Sequence, residues 1–302
     1  MRPCVLFALL SAVLSVRAQV DTGKILARVA EEAEAFRRLA PDVLGEETLK
    51  QRARKGASRF RPRIGSGGEK LSAPRYATKE IVSEYGYSAF SEAPDSLHEF
   101  REVVSVDGRA VKAREKARQT LAEGMRSQDD RLKKRLLEEF ERHGLTGAVS
   151  DFGQLILLFG QRRLEKYEFQ FAGKARIGPD EAIALSFRQT SDQGGVTIFE
   201  NRKVVRRPLQ GELWVRETDF LPLRIKLVTV REHDRYVIRD EATVDYAMTG
   251  HGALMPASVV HRQYAADQLM VENLFQYGTF RKFSAETEVK FTESPAQPKD
   301  KK

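Results

Sequence analysis

The side chains able to do chemistry are few and scattered. The chain carries five histidines, His98, His143, His233, His251 and His261, and one cysteine, Cys4. No two histidines have the spacing that lets one helix face present two ring nitrogens to a metal ion. His233 and His251 fall in turn-forming stretches, where a solvated ring is the ordinary outcome. His261 stands between Val260 and Arg262 on a strand pattern, where it could meet a glutamate across a sheet. Asp151-Phe152-Gly153 spells a kinase triplet, yet no matching strand lysine, phosphate loop or catalytic His-Arg-Asp accompanies it. Gly65-Ser66-Gly67-Gly68 lacks the Gly-Lys-Ser/Thr ending of a phosphate-binding loop, and no Gly-x-Ser-x-Gly elbow occurs. The expectation is a chain without a catalytic centre, metal or cofactor. A triad assembled in space leaves no such trace, so an enzyme stays the third reading.

The clearest charge cluster is basic. Lys50, Arg52, Arg54, Lys55, Arg59, Arg61 and Arg63 fall within a stretch holding no acid, which runs into the glycines at 65–68. Near an anionic membrane each such base adds about 1 kcal/mol of attraction, so these residues are candidates for an anionic-surface contact. A solvated linker accounts for the same composition.

Residues 1–18 read as a secretory signal. Arg2 precedes an apolar run from Cys4 to Val16, and Val16-Arg17-Ala18 offers a peptidase site with cleavage after Ala18. The run is shorter than the roughly twenty residues a spanning helix needs. Removing it takes away Cys4, Arg2 and Arg17 and brings the formal charge from +8 to +6. The expected mature protein is exported to the periplasm or beyond and makes no disulfide. There its basic excess meets lipid headgroups, not nucleic acid. Nothing in the sequence sets the oligomeric state.

The elements that must position any site divide the chain. Residues 19–76 read as N-terminal helices, one ending at Pro41 and a shorter one from Glu46 to Arg54, followed by the basic, glycine-rich linker. Residues 77–160 read as a hairpin, Lys79–Tyr87 with Glu99–Val106, then a long amphipathic helix from Lys112 to His143 and a short apolar helix from Asp151 to Phe159. Residues 161–292 read as an antiparallel sheet of nine strands, from Arg163–Phe171 to Glu286–Phe291, separated by turn residues. Residues 293–302 read as a disordered tail. The fold class is α+β: a curved, mostly antiparallel sheet, an incomplete barrel, covered by helices.

The run Gly211-Glu212-Leu213-Trp214-Val215-Arg216-Glu217-Thr218-Asp219-Phe220-Leu221-Pro222-Leu223-Arg224-Ile225, with Phe280-Arg281-Lys282-Phe283 near the end, resembles periplasmic proteins of the lipoprotein-sorting type. The resemblance covers residues 163–291 and implies a curved sheet whose apolar concave face holds acyl chains. It transfers no individual site residue. From the strand pattern, Tyr167, Phe169, Phe171, Phe187, Trp214, Ile225, Leu227, Ile238, Phe275 and Tyr277 are candidates to line such a hollow, with Leu155–Phe159 as its cover. The leading expectation is a non-catalytic exported carrier for an apolar or lipid-like molecule, with lipid or lipoprotein as partner. The alternative is a cell-envelope interaction protein with a packed core and a basic contact surface.

Overall fold

A computed structural model describes residues 21–56, 74–147, 151–190, 196–200, 203–207, 209–233 and 236–282. The predicted signal at 1–18, the glycines at 65–68 and the strand at 286–291 lie outside them. Three α-helices are present among these residues: α1 (Thr22–Leu39), α2 (Arg114–Arg126) and α3 (Asp130–Glu141). The strands are β1 (Val43–Arg54), β2 (Tyr76–Phe90), β3 (Ala93–Val106), β4 (Arg109–Ala110), β5 (Tyr167–Ile177), β6 (Asp180–Gln189), β7 (Val196–Glu200), β8 (Lys203–Arg207), β9 (Gln210–Arg216), β10 (Pro222–His233), β11 (Tyr236–Met248), β12 (Leu254–Ala265) and β13 (Gln268–Lys282).

Eleven strands form one antiparallel sheet in the order β4-β3-β2-β1-β13-β12-β11-β10-β9-β6-β5, and β7 pairs with β8 separately. In a flat sheet β2 and β6 would stand about 34 Å apart at the usual strand spacing. Here Phe36 of α1 meets Tyr87 of β2 at 5.1 Å between ring centroids, Phe159 meets Phe187 of β6 at 5.0 Å, and α1 packs against the 3-10 turn Leu155–Phe159. The sheet therefore curls around α1 and that turn without closing. This is the curved, helix-covered architecture expected.

The opposite face is covered near β1–β3 by α2 and α3, through Leu44, Phe100, Leu121, Met125 and Leu136. Glu46, Glu84 and Glu102 stand in register across these strands, and Arg114, Arg118 and Lys112 pair with them.

Four expectations need correction. Residues 46–54 are not a helix but part of β1, hydrogen-bonded to β2 on one side and β13 on the other. Leu49, Gln51 and Ala53 face the core while Lys50, Arg52 and Arg54 face out, and the polar Glu47 and Gln51 inside disguise that alternation. The single helix at 112–143 is two, because Ser127 is extended and Asp129 caps α3 by accepting from Arg131 N at 3.0 Å. The helix at 151–159 is a bend followed by the 3-10 turn, and β5 starts only at Tyr167 after a second 3-10 turn, Leu164–Lys166.

Candidate functional site

The site begins with how the covering segment is held. Arg101 on β3, with a side chain 1% exposed, donates to Glu47 Oε1 and Oε2 on β1 at 2.7 Å each and to Glu99 Oε2 at 2.8 Å. Glu99 also accepts from Tyr85 at 2.9 Å and from the backbone N–H groups of Asp151 at 2.8 Å and Gly153 at 2.7 Å. Burial drives the Glu99 carboxyl upward in pKa, while Arg101 opposes that shift. Burial and the nearby carboxylate push Tyr85 and Tyr87 far up, so both remain hydroxyls. A Cβ on Gly153 would lie 2.5 Å from the Tyr87 hydroxyl, so only glycine lets the backbone dock here. On the other side Tyr246 of β11 accepts from Ile156 N and donates to Gly153 O, each at 3.0 Å. Residues 151–156 are thus pinned at both ends.

Beyond the pinned segment the covered face is not filled. A cavity of about 670 Å³ lies between strands β10–β12 and residues 152–158, within the size range of small-ligand sites. Leu227, Thr229 and Ala242 form part of its sheet wall, Phe152, Leu155, Leu157 and Leu158 its cover, and Arg37, Gln154 and Arg163 border it from the helical side.

A polar row crosses the sheet wall. Gln51 donates to Asn273 Oδ1 at 2.7 Å, Asn273 Nδ2 meets His261 Nδ1 at 3.2 Å, and His261 Nε2 lies 3.5 Å from Asp240 Oδ1. Gln263 also donates to Asp240, at 2.9 Å. Burial works against the Asp240 anion, but the donors His261 and Gln263 outweigh it and hold this carboxyl below its usual range. With an amide donor on Nδ1, the neutral ring carries its hydrogen on Nε2 toward Asp240. Both nitrogens are thereby occupied, and the Phe152 ring stacks on the imidazole at 4.5 Å. The partner of His261 across the sheet is this aspartate, not a glutamate. Among the described residues no group of three or more His, Cys, Asp or Glu is placed to hold a metal ion.

Of the predicted lining residues, Leu227 borders the cavity. Tyr167, Phe169 and Phe187 instead converge on Phe159, with centroids 5.7, 5.8 and 5.0 Å from it, and fill their end of the sheet. Phe275 and Tyr277 stack on each other at 6.3 Å, and Tyr277 lies 4.9 Å from Tyr85. Ile225 and Ile238 are buried in the core, and Phe171 is 51% exposed. Trp214 alternates out of phase with the buried Leu213 and Val215 and stands half-buried on the other face. Leu155, Leu157 and Leu158 of the predicted cover do border the cavity.

The basic candidates are partly spoken for. Lys50 pairs with Glu80 at 3.2 Å, Arg52 pairs with Glu272 at 3.3 Å and lies over the Tyr76 ring, and Arg54 donates to Gln268. Lys55 bonds Arg75 O through its backbone N–H at 2.8 Å, while Arg59, Arg61 and Arg63 lie outside the described residues.

Sequence reasoning missed Arg37, Arg163, Asp240 and Gln263. A usable clue existed for the polar row: Gln51 is in phase with Leu49, His261 with Val259, and Asn273 with Phe275.

No family model and no curated protein matches the chain. Among solved structures it is similar to a LolA superfamily protein from Nitrosomonas europaea, with 10% identity and a TM-score of 0.29 over 89% of this chain and 97% of that one. It is similar to a DUF1329 family protein from Desulfovibrio piger, with 10% identity and a TM-score of 0.32 over 86% and 93%. A domain assigned to outer membrane lipoprotein sorting from Vibrio parahaemolyticus gives 11% identity and a TM-score of 0.32 over 88% and 95%. At such TM-scores the likeness is loose.

Proposed function

We propose that this chain is an exported, non-catalytic binding protein that carries an apolar or lipid-like molecule in the cavity under residues 152–158, after removal of residues 1–18. The observation that carries this reading is the cavity of about 670 Å³ faced by leucines and backed by a fully hydrogen-bonded polar row. An apolar tail entering it removes Leu157, Leu158 and Leu227 from water, a gain of roughly 25 cal/mol per Å² of apolar surface buried. A catalytic reading has less support, because both nitrogens of His261 are engaged and the nearest partners are an amide and a carboxylate. The anionic-surface reading also has less, since Lys50 and Arg52 already have carboxylate partners.

The test fills the space. A neutral environment-sensitive dye such as Nile red should bind the full chain saturably, one per molecule. Leu227→Trp should abolish that binding while the far-UV circular dichroism stays that of the parent. Unchanged binding in the tryptophan variant would remove the cavity from the account.

A further inference from the structure

The cavity is apolar along its cover but charged at its rim, and the charges of opposite sign are not equally committed. Asp151 accepts from Glu99 N at 2.9 Å and lies 3.2 Å from His98, and Asp240 is held by Gln263 and His261. Asp95, the remaining acid on the rim, is exposed, so water and salt screen its charge. Arg163 on the helical side is exposed as well, so its charge is screened in the same way, whereas Arg37 is partly buried. Arg37 Nε is shielded from water and has no hydrogen-bond partner, and the carboxylate paired with this side chain among the described residues, Glu34, is 3.7 Å away. Arg163 makes no ion pair among the described residues. Both border the cavity beside one turn: a Cβ on Gly160 would lie 3.4 Å from Arg37 Nη2, and the Arg163 backbone N–H donates to Gly160 O at 2.7 Å. Gln154 borders the same rim with an amide oxygen that is likewise shielded and unpartnered.

A shielded guanidinium N–H with no acceptor is costly and is satisfied by an anionic oxygen far better than by an alcohol or a cation. Building on the proposed cavity function, we infer that the ligand is an amphiphile with an anionic head, a carboxylate or phosphate monoester, bound by Arg37 and Arg163. Its tail lies along Leu157, Leu158 and Leu227. The guanidinium fork accepts either oxyanion, so the head class is fixed by charge and the tail by the leucines.

Displacement of Nile red from the full chain by compounds sharing one tail separates these terms. Dodecanoate and dodecyl phosphate, below their micelle concentrations, should bind about tenfold more tightly than dodecanol, with dodecyltrimethylammonium weakest. In the double variant Arg37→Gln with Arg163→Gln the two anions should fall to the affinity of dodecanol. Dodecanol itself should bind as to the parent, which also shows the variant is folded. Equal affinity for all heads, or an anion preference that survives the double substitution, would overturn the head assignment and leave the cavity function standing. Inorganic phosphate competing as well as dodecyl phosphate would overturn it in favour of a free-anion site. Failure of every amphiphile, dodecanol included, would bring down the cavity function itself.

Discussion

The two ends of the covered face are built from different materials and end in different states. At the β5–β6 end, Tyr167, Phe169 and Phe187 close on Phe159 at aromatic packing distances and leave no room. At the β10–β12 end Phe152 of the cover stacks on His261 of the wall, but Leu227, Thr229 and Ala242 face Leu155, Leu157 and Leu158 across open space, and the cavity remains. Interlocking rings fill the hollow they border; a hollow persists where the cover is held off the wall. The cover cannot collapse because Glu99, Gly153 and Tyr246 fix its backbone from two sides.

That contrast can be broken most severely at its support. Arg101→Met leaves Glu47 and Glu99 buried together without a cation and should cost about 3–5 kcal/mol in denaturant unfolding. The next largest difference should separate the two ends directly. Phe159→Ala opens a void among packed rings and should cost about 3–5 kcal/mol, whereas Leu158→Ala, already facing open space, should cost about 1 kcal/mol. Equal costs would mean that the ends are packed alike.

Tyr246→Phe strips the partner from Ile156 N and from Gly153 O and should cost about 1–3 kcal/mol, with faster amide hydrogen exchange confined to residues 153–156. The smallest effect concerns His98. Its hydrogen bond to Asp151 raises its pKa above the ordinary 6.5. A raised folded-state pKa contributes stability that is complete below pH 6.5 and is lost as pH climbs through the folded value. The unfolding midpoint of the parent minus that of His98→Gln should therefore decline across that window, and a flat difference would remove His98 from the pinning of the cover.

Much of the frame was readable in the residues. Strand patterns placed most strands from β5 to β13 and the pairing of β2 with β3, and β3 ends in a tight turn at Asp107-Gly108, where both residues take positive φ. The strand β1 was not readable as such, because Glu47 and Gln51 point inward and are satisfied only by Arg101 and Asn273, which lie far along the chain. The turn between β12 and β13 shows only as a break between the strand patterns at 257–264 and 269–280, since Ala266 and Asp267 adopt positive φ without a glycine to announce it. The site was legible only in outline. Leu227, Leu155, Leu157 and Leu158 border the cavity, whereas Phe159 packs with Tyr167, Phe169 and Phe187, because large rings on the concave face fill it. Arg37 and Arg163 come to border one cavity only through the packing of α1 against the 155–159 turn, which no local pattern encodes.

The most direct measurement is methyl NMR of the leucine-labelled chain titrated with dodecanoate. Saturable shifts are expected at Leu157, Leu158 and Leu227, with Leu185 and Leu213 unmoved. Shifts centred on Leu185 and Leu213, or none at any leucine, would contradict binding in this cavity.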